Sequence, residues 1–241
     1  MRKRGHMRKT EAMINEIEKV IIGKREVIEQ VLMTILAKGH VLLEDIPGVG
    51  KTTLALSFAK VMGVDYHRIQ FTPDLMPSDI LGTSVFLPAA GRFEYRKGPI
   101  FSNIVLVDEI NRAPAKTQAA LFEVMEERQI TNDGVEYRMD YPFVVVGTQN
   151  PIEHEGTYRL PEAQLDRFLF KINVTYPSVA EEIKVLELHD HGAIAHWQEL
   201  EPVLSVEALK KLRTQVAQVR VDPKIKSFIV NIGYKKLELV E

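Results

Sequence analysis

Apolar positions recur with a helical period over residues 10–22, where Met13, Ile14, Ile17, Val20 and Ile21 fall on one face before Gly23 interrupts. Val27, Val31, Leu32 and Ile35 carry the same period on to Gly39. The pattern then changes to a short apolar run, His40–Glu44, closed by a Gly/Pro turn. Leu54, Phe58, Val61 and Met62 restore the helical period as far as Gly63. Four more short apolar runs lie at 68–71, 104–107, 143–147 and 168–174. Continuous runs of this kind suit strands covered on both faces. Their alternation with helical stretches predicts an α/β fold, a parallel sheet with helices on both sides.

Turn chemistry divides the chain further. Asn132-Asp133-Gly134 predicts a hairpin over 129–139, and Ala90-Gly91 a second one reaching Tyr95. Strand signals stop after Tyr176-Pro177. Ser178 with Glu181 forms a capping-box pattern, and Ser205 and Asp222-Pro223 read as further helix starts. The expected organisation is a basic, disordered tail over 1–9, a core over 10–176 and a helical appendage over 177–241.

Composition narrows the function classes. The 241 residues carry 31 Lys+Arg against 33 Asp+Glu, a formal net charge of -2, which gives no support to broad electrostatic binding of nucleic acid. Cysteine is absent, which excludes a disulfide scaffold, a thiolate zinc site and a cysteine nucleophile. No run of 18 apolar residues predicts a membrane span, and the basic N-terminus lacks the apolar stretch of a secretory signal. The expected location is the cytoplasm.

The chemistry starts at Glu44-Asp-Ile-Pro-Gly-Val-Gly-Lys-Thr52, between an apolar strand and an amphipathic helix. That is the context of a phosphate-binding loop: small residues let backbone N–H groups approach phosphate, and the helix N-terminus favours an anion. Pro47, Gly48, Val49, Gly50, Lys51, Thr52 and Thr53 form the candidate binding set. Lys51 would bridge the β- and γ-phosphates of a nucleotide, and Thr52 would place its hydroxyl on Mg2+. Asp45 stands where the strict pattern has glycine; aspartate tolerates unusual backbone angles better than most residues. Ile104-Val-Leu-Val-Asp-Glu109 is an apolar strand that ends in two carboxylates. At the C-terminal edge of an open sheet Asp108 would hold Mg2+ and Glu109 would orient or deprotonate the attacking water. A further strand leads to Asn150, a candidate for the water or the γ-phosphate. Arg167 precedes the last strand and either reaches a nucleotide on a neighbouring subunit or forms a plain ion pair with Asp166 or Glu162. His189, Asp190, His191 and His196 match no strong zinc spacing and read as a solvated helix end.

Together these stretches resemble the MoxR family of AAA+ ATPases over residues 10–230. The specific motifs are Ile22-Gly23-Lys24, Arg68-Ile-Gln-Phe-Thr-Pro-Asp-Leu-Met-Pro-Ser-Asp-Ile-Leu-Gly82, Gly98-Pro-Ile-Phe101, Asp108-Glu-Ile-Asn-Arg-Ala-Pro114, Gln118, Met125-Glu-Glu-Arg-Gln129, Gly147-Thr-Gln-Asn-Pro151 and Leu160-Pro-Glu-Ala-Gln-Leu-Asp-Arg-Phe168. The resemblance implies a P-loop core with strand order 5-1-4-3-2 and an all-α C-terminal lid, here partial, because a Gly-Ala-Ser-Pro-Arg-like element with a nucleotide-sensing arginine does not occur before Glu241. It implies a hexameric ring with Arg167 acting in trans, and Ile22 and Gly23 beside the adenine. The 129–139 hairpin would be the insertion that interrupts the second core helix. Members act as chaperones that mature or assemble partner complexes, often with a von Willebrand factor A domain protein. Two alternatives stand beside this reading: an ATP-binding scaffold that hydrolyses poorly, and a DNA-remodelling motor. The mixed charge of the hairpin, with Arg128 and Arg138 against Asp133, Glu136 and Asp140, disfavours the motor.

Overall fold

A computed structural model describes residues 2–45, 50–149, 158, 160–174, 178–190 and 196–238. Five strands form the central sheet: β1 (Val41–Asp45), β2 (Tyr66–Gln70), β5 (Ile104–Asp108), β8 (Val144–Gln149) and β9 (Phe170–Val174). They lie in the order β2-β5-β8-β1-β9, and every neighbouring pair is parallel. Counting only these five strands along the chain, the order is 5-1-4-3-2, as expected.

Side-chain alternation explains the two cores. Val41, Leu43, Ile104, Leu106, Val144 and Val146 point to one face, under α1 (Arg2–Glu18), α2 (Arg25–Leu36) and α3 (Lys51–Met62). Leu42, Val105, Val107 and Val145 point to the other, where α5 (Ala115–Glu127) supplies Leu121, Phe122, Val124 and Met125. Each fully buried Val, Leu or Ile contributes roughly 1.5–3 kcal/mol, so the central strands β5 and β8, covered on both faces, are buried and mostly apolar along their length, whereas the edge strands β2 and β9 interleave apolar and exposed polar residues. Helix α1 starts at Arg2, so the segment read as a disordered tail is helical. Lysine and arginine are good helix formers, and Gly5 alone does not stop the run.

Both predicted hairpins form. One pairs β3 (Gly82–Leu87) with β4 (Arg92–Lys97); the other pairs β6 (Gln129–Asn132) with β7 (Val135–Arg138). Their assignment to the core helices is corrected. The 129–138 hairpin follows α5 and leads into β8, whereas the 82–97 hairpin interrupts the second crossover, directly after the short α4 (Pro77–Leu81). Gly82 makes that junction: its φ is 106°, and a Cβ there would sit 2.1 Å from the Arg96 carbonyl oxygen. Hairpins pack side by side, with the Ser84 hydroxyl donating to Asp133 at 2.6 Å and Tyr95 against Tyr137 at 4.5 Å between ring centroids.

The C-terminal region holds α6 (Glu162–Leu165) before β9, then α7 (Val179–Asp190), α8 (Val206–Ala217) and α9 (Pro223–Glu238). Its middle part packs on the core, whereas the described side chains of α7 and α9 are exposed or half-buried. Leu200, Leu204, Leu209 and Leu212 join the α1–α2–α3 cluster, and the backbone N–H groups of Val203 and Leu204 donate to the Val61 carbonyl. Buried Arg213 donates from Nε to the Ile35 carbonyl at 2.8 Å and lies over the Tyr141 ring.

Candidate active site

All five parallel strands end at one edge of the sheet, and most of the sequence-predicted residues gather there. Strand β1 stops at Asp45 and α3 starts at Lys51. Pro47, Gly48 and Val49 lie outside the described residues, as does Asn150 beyond β8. Gly50 takes a left-handed conformation, φ 82°, and its carbonyl accepts the Leu54 N–H at 2.8 Å, so the first helical turn begins on Lys51 and Thr52. The opening turn of a helix presents free N–H groups and the positive end of the dipole. Gly50, Lys51 and Thr52 share a cleft of about 260 Å3 with Arg68, Gln70, Asp108 and Glu109. Thr53 does not line it; its carbonyl accepts the Ser57 hydroxyl at 2.7 Å.

The two carboxylates differ in setting. Asp108 is buried at the end of β5. Its Oδ2 accepts from Arg68 Nε at 2.6 Å and its Oδ1 from the Thr148 hydroxyl at 3.1 Å. That same hydroxyl accepts the Glu109 N–H at 3.0 Å, so one threonine ties the end of β8 to both acidic residues. Glu109 has φ 56°, a left-handed conformation costing a non-glycine residue roughly 1–2 kcal/mol. The turn swings its side chain off the strand. Gln70 Nε2 then donates to its Oε2 at 2.8 Å, and the Arg112 guanidinium lies 3.2 Å from the same oxygen.

Arg68, Gln70 and Thr148 had no assigned role from sequence. A usable signal was present: Arg68 and Gln70 are polar at i and i+2 on a strand whose Ile69 is buried, so both point to the same face at the crevice end.

A second cleft, of about 290 Å3, lies beside the edge strand β9 and is lined by Gly23, Lys24, Gln30, Asn173 and Glu181, among others. Gly23 has φ 72°, and a Cβ there would come within 2.4 Å of the Glu181 carboxyl. Ile22 is half-buried and does not line this cleft. Glu181 is held by Ser178: the backbone N–H and hydroxyl of Ser178 both donate to its Oε2 at 2.8 Å, which keeps the carboxyl below its usual pKa.

Arg167 stands apart from this edge. It precedes β9, whose Phe170 is level with Val41 and whose Val174 is level with Asp45. At ~3.3 Å per residue the strand puts roughly 15 Å between Arg167 and the crevice of its own subunit. Its ion-pair partner is Glu126 at the end of α5, not Asp166 or Glu162.

Thr52 and Asp108 both line the cleft, and a hydroxyl and a carboxylate are hard oxygen donors of the kind that suits Mg2+ with waters completing its shell. Among the described residues no group of three or more His, Asp or Glu gathers as metal ligands. The side chains of His189 and Asp190, and all of His191, lie outside the described residues.

Comparison with known proteins places the chain in a family. The ATPase family associated with various cellular activities (AAA) matches residues 40–170. The chain is 52% identical over 222 residues to the uncharacterised protein YeaC of Bacillus subtilis, covering 92% of this chain and 69% of that protein. It is 53% identical to Chaperone MoxR1 of Mycobacterium tuberculosis over 73% of this chain and 47% of that one. The crystal structure of a candidate ATPase from Cytophaga hutchinsonii superposes with a TM-score of 0.84 at 42% identity, covering 94% of this chain and 68% of that chain. The chain thus spans between about half and two-thirds of these proteins.

Proposed function

The chain belongs to the MoxR branch of the AAA family of ATPases, and on that premise we propose that ATP binds at the Lys51–Thr52 cleft and is hydrolysed by a water held at Glu109. The observation that carries this reading is a single cleft that brings the first turn of α3 together with Asp108 and Glu109.

Lys51 compensates the β- and γ-phosphate charge, and Gly50 with the first turn of α3 offers backbone N–H groups; Pro47, Gly48 and Val49 are retained from the sequence as phosphate-loop residues. Thr52 and Asp108 are the residues that would hold Mg2+, whose charge neutralises the phosphate oxygens during transfer. Glu109 orients the water and accepts its proton as the oxygen attacks the γ-phosphorus in line, the bond to the β–γ bridging oxygen breaks and ADP leaves with phosphate as the second product. Gln70 and Arg112 keep that carboxylate aimed. Asn150, the next residue in the sequence after β8, is retained as a contact for the water or the γ-phosphate. The β9-edge cleft around Gly23 takes the base, with Glu181 of α7 at its rim.

Arg167 lies on the far side of the sheet, which supports its action on the next subunit in a head-to-tail ring, proposed as a hexamer. Mechanical output goes to partner proteins, a chaperone-like maturation or assembly step with a von Willebrand factor A domain protein as the proposed class of partner; the name Chaperone MoxR1 of the mycobacterial relative supports the chaperone role alone. The ATP requirement makes the cytoplasm the proposed location.

Two variants test the division of roles. Lys51→Ala is expected to lose ATP affinity while the fold survives, and unchanged affinity by calorimetry would overturn the cleft assignment. Glu109→Gln is expected to keep ATP but lose turnover at least about 100-fold, the range of a lost general base. ATP binding without turnover in the parent protein would support the scaffold alternative instead.

A further inference from the structure

The end of the sheet opposite the crevice carries a recess of about 460 Å3 between the approach to β1, the end of α5 and the turn before β9. Its titratable lining is Lys38, His40, Glu126, Arg128, Asp166 and Arg167. His40 is committed to backbone, with Nε2 on the Met125 carbonyl at 3.0 Å and Nδ1 accepting the Val145 N–H at 2.9 Å, so it stays neutral there. Three cations therefore face two carboxylates. Arg167 is paired with Glu126, and Asp166 adds another negative charge. Arg167 alone is outnumbered by carboxylates and would leave the recess repelling an anion. Lys38 and Arg128 reverse that balance.

Backbone conformation sets the same two residues apart. Lys38 (φ 62°) and Arg128 (φ 55°) are both left-handed, each just past the end of a helix. Glycine is the ordinary residue at such a position, and a side chain there costs roughly 1–2 kcal/mol. The other non-glycine residues with positive φ among the described residues are Glu109 in the crevice and Asp133 in a hairpin turn. Retained strain of this kind marks functional positions. The Arg128 guanidinium donates to the Lys38 carbonyl. That bond uses one of its five N–H groups and leaves others for a phosphate.

We propose that Arg128 is a second cation acting across the subunit boundary, meeting the γ-phosphate of the neighbour's ATP beside Arg167, with Glu126 as the counter-ion that Arg167 exchanges for that phosphate. This rests on the head-to-tail reading of Arg167. A planar guanidinium binds a phosphate in two places at once, so two arginines can bracket it where one is already engaged by a carboxylate.

Arg128→Gln tests this in the full chain, because glutamine keeps an uncharged amide donor and much of the side-chain volume but removes the charge. Its melting temperature and its own ATP affinity are expected to stay at parent values while turnover falls at least tenfold. Arg128→Lys, which keeps the charge, is expected to retain most of the turnover. Mixing Arg128→Gln with Lys51→Ala subunits is expected to restore part of the activity, since some junctions then pair an intact crevice with an intact Arg128. Arg167→Ala mixed with Lys51→Ala is the control. Rescue of the Arg167 mixture without rescue of the Arg128 mixture overturns the inference and leaves the trans reading standing. Rescue in neither mixture overturns both. A lowered melting temperature with activity that mixing does not restore makes Arg128 a structural latch and overturns the inference.

Discussion

His40 shows how one buried side chain couples stability to pH. Burial first of all, with the nearby charges of Arg128 and Arg213 adding to it, pulls its pKa down to about 4 against the hydrogen bond to Met125. In the unfolded chain the ring titrates near its ordinary value of ~6.5. Below that pH the unfolded state takes up a proton that the folded state refuses, so stability falls from pH ~6.5 down to ~4 and is unaffected above. At ~1.4 kcal/mol per pH unit the full loss approaches about 3 kcal/mol. Urea midpoints across this range should show the slope in the parent protein. His40→Gln should be less stable at neutral pH but lack His40's share of the slope, and an unchanged slope would remove His40 as its source. Arg68 raises a different question at the same scale. Its 2.6 Å bond to Asp108 occupies a carboxylate assigned to Mg2+. Arg68→Gln should therefore lower the Mg2+ concentration needed for half-maximal ATP binding several-fold, measured by calorimetry across a magnesium series.

At the scale of elements, α8 is where the chain departs most from its linear reading. Ser205 caps it by accepting the Ala208 N–H at 3.3 Å, and the helix starts where the sequence places it. Its packing is another matter. Leu209 and Leu212 sit in the cluster beneath α2, and Arg213 fastens its far end to Ile35. This makes α8 a buttress on the core. Leu209→Ala is expected to destabilise the protein by about 2–5 kcal/mol, the range for emptying a buried leucine site. Unfolding followed by circular dichroism should shift as one transition. A separate early transition would show that the segment folds by itself. The capping box at α7 is likewise local: Ser178 and Glu181 bond reciprocally, as their spacing predicts. That Glu181 also closes over Gly23 is a contact across 158 positions of the chain.

For the whole molecule, the decisive geometry is the distance between the two ends of the sheet. The crevice with Lys51, Asp108 and Glu109 lies at the C-terminal ends of the strands, and Arg167 lies before the start of β9. A subunit by itself does not bring them together. Under the proposed ring, turnover per subunit should rise with protein concentration until assembly saturates, while ATP affinity at the crevice changes little. Concentration-independent turnover by a species with monomer mass would place catalysis within one subunit and remove the trans role of Arg167.

The sequence by itself determined whatever depends on neighbours along the chain. Unbroken apolar runs required strands covered on both sides. Asn132-Asp133-Gly134 required a tight turn, and Asp133 and Gly134 both have positive φ. Gly-Lys-Thr at a strand–helix junction and Asp-Glu at a strand end identified the two halves of the cleft, because strand direction alone delivers both to one edge. Tertiary structure decided the contacts made through space. Arg68 meets Asp108 across 40 positions, and Thr148 meets it across another 40. Arg167 pairs with Glu126 and not with the nearer Asp166, since α5 ends beside the turn before β9. The hairpin that interrupts the second crossover, and the burial of α8 against α2, follow from how helices stack on the sheet. A one-dimensional pattern records which face of an element is apolar, but it carries no signal for which other element will cover that face.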